Sequence, residues 1–121
     1  MKYLLGLLLV SLLASAAIAD NAVDVTNIAS NTVVVGYSCV AGSGATSVQV
    51  MIGDPTADSP SATGEQDGLT CDGAQHTATI ALTTTAGQPP LHSGEQVQVR
   101  VGLVDLNDNV VTGQNKLVTL A

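Results

Sequence analysis

From residue 23 onward, apolar side chains recur on every second position. Val23 and Val25 alternate with Asp24 and Thr26, and Val33, Val35, Tyr37 and Cys39 share one face against Val34, Gly36 and Ser38. Val48, Val50 and Ile52 alternate with Gln49 and Met51, and Ala78, Ile80 and Leu82 with Thr77, Thr79 and Thr83. Val97, Val99, Val101 and Leu103 alternate with Gln98, Arg100 and Gly102, and Val118 and Leu120 flank Thr119. A period of two is that of a half-buried β-strand, and the abundance of Val and Thr agrees with it. No stretch after residue 20 carries a helical stripe. Turn-forming residues punctuate the strands at 27–31, 41–44 and 87–94, and 106–109 reads as a hairpin tip. Residues 53–68, with Pro55 and Pro60, read as one long polar loop, exposed and mobile. Short strands at this spacing, without helical connections, predict an all-β, immunoglobulin-like antiparallel β-sandwich of about seven strands.

The first segment breaks the pattern. Lys2 precedes an apolar run over 4–13, interrupted only by Gly6 and Ser11, and Ala17-Ile18-Ala19 supplies small residues at a cleavage site. This predicts a cleaved signal peptide over 1–19 and a single exported, extracellular domain over 20–121. The apolar run is about ten residues, half of the roughly 20 that span a bilayer, so no membrane span is expected after cleavage. No cysteine stands at the cleavage site to carry a lipid.

Composition sharpens this picture. Phe and Trp are absent, and Tyr37 is the single aromatic after the signal segment. Val, Leu, Ile and Ala must therefore fill the core, and a chain of this size buries only about two-thirds of its surface. Loss of Lys2 takes the formal charge from −7 to −8, with Arg100 and Lys116 facing ten acidic residues. Such a surface repels nucleic acid and anionic lipid and favours solubility. Cys39 and Cys71 are the only cysteines. In an exported chain such a pair forms a disulfide, here closing a loop of roughly 33 residues and contributing about 3–4 kcal/mol. If Cys39 points inward, Cys71 must also reach the interior or a sheet edge, making 69–71 a short strand or a tightly held loop end. No C-x-x-C spacing points to redox or metal chemistry.

Several runs are distinctive: Gly36-Tyr37-Ser38-Cys39, Cys71-Asp72-Gly73-Ala74-Gln75-His76, the 94–103 strand and the closing Val118-Thr119-Leu120. Over 22–121 this pattern resembles a family of small secreted actinobacterial proteins of unknown function with an immunoglobulin-like sandwich. The resemblance implies the fold, export and the Cys39–Cys71 bridge, and no activity. Members of that family often carry an aromatic soon after the His, where Thr77 and Ala78 stand here. The acidic, Val/Thr/Gly/Ala-rich composition and residues 101–105 also look like the enediyne-carrying apoproteins of the neocarzinostatin type. Those normally carry two disulfides and an aromatic-lined cleft, which this chain lacks.

Candidate chemistry is sparse. Asp105, Asn107, Asp108 and Asn109 place four oxygen-bearing side chains in five residues, a calcium candidate that also fits a plain hairpin turn. Val110 stands where an EF-hand needs Gly, and Lys116 where it needs Glu. Asp72 and His76 are spaced to pair across a strand start, either as a pH-sensitive contact or as an ordinary polar turn. His92, beside Pro89 and Pro90, reads as surface. Asp54, Asp58, Glu65 and Asp67 line the 53–68 segment as a candidate binding loop; with no Trp to stack sugars, glycoside hydrolysis is not expected of them. There is no G-x-S-x-G motif and no phosphate loop, so no catalytic residue or cofactor is assigned. The expectation is a monomeric, non-catalytic secreted binding module with an unknown protein or envelope partner, presenting its loops. The alternatives are an inhibitor of a secreted hydrolase that uses the 53–68 loop, and a small-ligand carrier. Edge strands without obvious charge gates leave self-association open.

Overall fold

The computed structural model describes residues 21–121, so the signal segment expected over 1–19 lies outside the described residues. The chain forms eight strands and no helix in this range: β1 (Ala22–Ile28), β2 (Thr32–Ser38), β3 (Ser47–Gly53), β4 (Ala62–Asp67), β5 (His76–Ala81), β6 (Thr83–Thr84), β7 (Gln96–Val104) and β8 (Val110–Thr119). They make a three-stranded sheet, β1-β2-β5, and a five-stranded sheet, β6-β4-β3-β7-β8, with every pairing antiparallel. This is the strand order of an immunoglobulin-like sandwich.

The inward phase of each alternating strand becomes the core. Val23, Val25, Val33 and Val35 from one sheet meet Val48, Val50, Ile52, Val97, Val99, Val101 and Leu103 from the other, with Ile80, Leu91 and Leu120 completing the cluster. Tyr37 is buried at one end, and its hydroxyl accepts a 3.3 Å hydrogen bond from the Thr70 amide.

Cys39 and Cys71 are bonded, with Cα atoms 4.6 Å apart. Cys39 is fully buried just beyond β2, and Cys71 lies in the approach to β5, so the bridge ties neighbouring strands of the smaller sheet. Residues 69–71 are a held loop end rather than a strand. Leu69 donates to the Thr46 carbonyl, and the Gly73 amide bonds the Cys39 carbonyl at 2.8 Å.

The eight strands, one of them the two-residue β6, agree with the expected sandwich of about seven. Two expectations need correction. The 53–68 segment is not one loop: β4 occupies six of its residues, and the connection shrinks to 54–61. Its sequence, ATGEQD, shows no apolar alternation; the strand exists because β3 supplies a full ladder, from Ser47 opposite Asp67 to Ile52 opposite Ala62. Finally, β8 begins at Val110, well ahead of the Val118–Leu120 alternation. A bulge near Val111 shifts the β7–β8 register, so that Leu103 pairs Thr112 while Val104 pairs Val110.

A candidate binding face on the five-stranded sheet

The outward positions of β4, β3, β7 and β8 align in rows. Thr63, Met51, Arg100 and Asn115 form one row; Glu65, Gln49, Gly102 and Gly113 form the next. Met51 is 43% exposed, Leu117 58% and Val110 67%, and Leu106 at the hairpin tip is 84% exposed. Among the described residues these are the large apolar side chains left to solvent, and three of the four belong to this one sheet. Clustered exposed apolar groups mark contact surfaces, whereas single ones carry no information.

Two grooves open on this face. One, of about 340 Å³, runs past Met51, Gly102, Val104, Val110 and Gly113. The other, of about 290 Å³, lies between the sheet and the 54–61 loop, lined by Met51, Asp54, Asp58, Pro60 and Gln98. Arg100 and Met51 line both, so the grooves adjoin at this cross-strand pair. Arg100 is exposed and, among the described residues, has no ion-pair or hydrogen-bond partner, in a chain with ten acidic residues.

The four acids of the candidate loop are split. Asp54 opens the true loop and is fixed by local geometry: its Oδ1 accepts the Thr56 amide and hydroxyl, both at 2.8 Å. Those bonds, the amide first, hold its carboxyl below the ordinary range. Asp58 is exposed in the same groove. Glu65 stands on β4 and accepts the Gln49 side-chain amide at 3.3 Å, and Asp67 ends the strand.

The hairpin candidates are brought together as a turn. The Asp105 carboxylate accepts the Asn107 amide at 2.8 Å, the Asn109 amide at 2.9 Å and the Asn109 side-chain amide at 3.4 Å. The Asn109 amide bond leads in lowering its pKa. Asp108 takes the left-handed backbone conformation, φ 63°, that tight hairpins need. Among the described residues, no group of three or more His, Cys, Asp or Glu side chains is placed to hold a metal ion.

Asp72 and His76 do pair, at 2.8 Å, with the His76 ring 5.6 Å from that of Tyr37. The His76 hydrogen bond, with the Ala74 amide, lowers the Asp72 pKa. His92 is exposed and lies 3.6 Å from Glu95.

Fold and face together define the class: an all-β, disulfide-bonded immunoglobulin-like domain with an amphipathic outer sheet face. Its described residues contain no helix long and apolar enough to cross a membrane. No family model matches the chain, and no curated protein matches it either.

Sequence reasoning centred on the loops and missed Met51, Arg100, Gly102, Val110 and Leu117. The signal was present in the phase of the pattern. Met51 and Leu117 are large apolar residues on positions that the alternation assigns to solvent. That Arg100 has no ion-pair partner among the described residues is set by strand order, which the alternation does not encode.

Proposed function

We propose that this protein is an exported, non-catalytic binding module whose contact surface is the outer face of the five-stranded sheet, rimmed by the 54–61 loop. The observation that carries the reading is the pair of adjoining grooves around Arg100, which has no ion-pair partner among the described residues, with Met51, Val110 and Leu117 exposed beside it. A monomer has no internal use for these features, and interface cores favour aromatic residues, Met and Arg. The disulfide supports an extracellular setting. The reading accords with the resemblance to small secreted actinobacterial sandwiches and moves the contact surface from the loops to a sheet face.

The test uses the exported protein as bait in supernatant and envelope fractions of its producing organism. A Met51→Glu/Leu117→Glu double variant serves as the control, and direct affinities are then measured for whatever is retained. The expected result is a partner that binds the native protein and loses at least tenfold in affinity with the variant. A partner held equally by both proteins overturns the assignment of the face, and an empty eluate overturns the module reading for that organism's own proteins.

A second reading, inhibition of a secreted hydrolase, is favoured by the order of the 54–61 loop. Asp54 locks the turn through Thr56, and the Ser61 amide returns to the Ile52 carbonyl at 2.8 Å. A loop ordered in advance lowers the entropic cost of docking. Under this reading the loop resists cleavage by its target, whereas an exposed loop with no such role is cut quickly.

A further inference from the structure

The binding face carries two glycines in its centre. Gly102 on β7 and Gly113 on β8 are direct cross-strand partners on the outward row beside Arg100. Glycine in a strand interior costs stability, so its presence needs a cause. Neither has the positive φ that would demand glycine. A Cβ on Gly102 would meet nothing closer than 3.5 Å, an ordinary contact, so the fold itself has room for a side chain there. At Gly113 the nearest atom is the Val101 carbonyl oxygen at 3.2 Å, a tighter fit. The pair leaves a floor of bare backbone in the 340 Å³ groove, walled by Met51 and Val110. A flat ring packs well on such a floor, as aromatic side chains do over strand glycines.

No benzene or indole ring is offered by the described residues. Phe and Trp are absent, and Tyr37 is buried in the core. A second copy therefore has no accessible benzene or indole ring to offer from its described residues, only the small imidazole of His92. Beside the floor stands Arg100, whose planar guanidinium is suited to a carboxylate. Gly102 and Arg100 are two residues apart on one strand, about 7 Å. At the far end, Asp54 follows Met51, the cross-strand partner of Arg100, by three residues, about 10 Å further along. Asp54 and Asp58 there favour a cation. The two grooves are open and end to end, which suits an extended segment better than a small molecule, for which sites are usually concave and enclosing.

We propose that the face binds an extended segment of a protein partner carrying, in order along the groove, an aromatic ring over Gly102–Gly113, a carboxylate on Arg100 and a Lys or Arg beside Asp54 and Asp58. At about 3.3 Å per residue, ring and carboxylate are two residues apart on one side of the segment, and the cation lies about three residues beyond. This inference rests on the proposed binding module and names the chemistry of its partner.

The test is titration of the oxidised protein with acetyl-Ser-Trp-Ser-Glu-Ser-Ser-Lys-amide and with the same residues in reverse order. The Trp emission is read directly, because the protein has no Trp of its own. At least one of the two peptides is expected to saturate below about 1 mM, a contact of modest affinity. Replacing its Glu with Gln is expected to weaken it at least tenfold, as are Arg100→Gln and Gly102→Val in the protein; the Trp→Ala peptide, which has no emission of its own, is titrated as a competitor of the parent peptide and is expected to displace it at least tenfold less well. Thermal unfolding of both protein variants checks that they remain folded.

Absence of saturation by both peptides overturns the proposal, as does indifference to the Trp or Glu replacements or to Gly102→Val. Indole-3-acetate binding as tightly as the peptide overturns the choice of a peptide segment in favour of a free aromatic carboxylate. A natural partner that needs Met51 and Leu117 while the peptides fail leaves the module reading standing and removes this inference alone.

Discussion

Gly64 and Gly102 are both strand glycines of the five-stranded sheet, yet the structure gives their replacement by Ala opposite signs. Gly64 lies on β4 opposite Val50, on the inward side, where the larger sheet crosses the end of β5. A Cβ there would sit 2.6 Å from the Ala81 carbonyl oxygen and 2.7 Å from Ile80 Cγ2. The oxygen belongs to backbone and Ile80 is 1% exposed, so neither can move aside cheaply. Overpacking of this kind costs about 1–3 kcal/mol. Stiffening the unfolded chain returns about 0.4–1 kcal/mol. Gly64→Ala should therefore lose about 1–2 kcal/mol net, and at about 4–8 °C per kcal/mol for a domain of this size the Tm falls by about 5–15 °C. At Gly102 the nearest contacts are 3.5 Å, so only the unfolded-state gain remains. Gly102→Ala should hold or raise stability by up to about 1 kcal/mol. Both are measured by urea and thermal unfolding of the oxidised protein, with far-UV circular dichroism and Tyr37 fluorescence as probes. If Gly64→Ala melts at or above the native protein, the close approach of β4 to β5 is not a constraint and the reasoning fails. If both variants shift equally in the same direction, the effect lies in the unfolded chain and says nothing about the seam.

Three further outcomes are expected. Reducing the Cys39–Cys71 bridge, or replacing both residues with Ala, should cost about 3–4 kcal/mol by loop-closure entropy, read as a lower urea midpoint; an unchanged midpoint would refute a stabilising bridge. Asp105 spends its carboxylate on the hairpin amides, so millimolar calcium should leave the Tm unchanged, while Asp105→Ala should speed amide exchange at Asn107 and Asn109; a calcium-dependent rise in Tm would restore the metal reading. Asp24, Asp54, Asp72 and Asp105 all have folded pKa values below the unfolded one, so their contribution is present above about pH 4 and lost as pH falls through the folded values. A melting series should therefore be flat from about pH 5 to 8 on their account and fall below about pH 4; stability that rises on acidification would contradict the assigned hydrogen bonds.

How much of this was legible in the sequence depends on which face a residue serves. β1, β2, β3, β5 and β7 alternate cleanly because one phase is packed in the core, as with Val97, Val99, Val101 and Leu103. β4 was invisible because its identity comes from its partner: nothing in ATGEQD competes with a loop until Val48, Val50 and Ile52 offer a ladder. The first half of β8 was hidden for the opposite reason. Val110 is apolar yet 67% exposed, and the bulge near Val111 breaks the phase that a period of two relies on. Cys39, Cys71 and the 105–109 turn were legible because their chemistry is local or pairs only with itself.

The two sides of the sandwich explain why the outer face, rather than a sheet edge, is left for contact. On one side, β1 runs against β8, and side chains of β8 satisfy the β1 edge at Val25. Gln114 Oε1 accepts the Val25 amide at 3.1 Å, and Lys116 Nζ donates to its carbonyl at 3.0 Å. Asp24 completes the clasp, accepting Gln114 at 2.8 Å and Lys116 at 3.4 Å, and these contacts, Gln114 first, lower its pKa. Lys116 is thus the charge gate that the alternating pattern did not reveal, one of the devices by which sheets avoid pairing with other chains. On the other side, Gly64 lets β4 close onto β5, and the two-residue β6 offers almost no ladder to extend. Strand addition is disfavoured at both these places. The outer face is different in kind: its backbone groups are already paired in the sheet, and what it presents is Met51, Arg100, Val110, Leu117 and a glycine floor. A contact on such a face proceeds through side chains, which is why the proposed partner is specified by its ring and charges and not by its backbone.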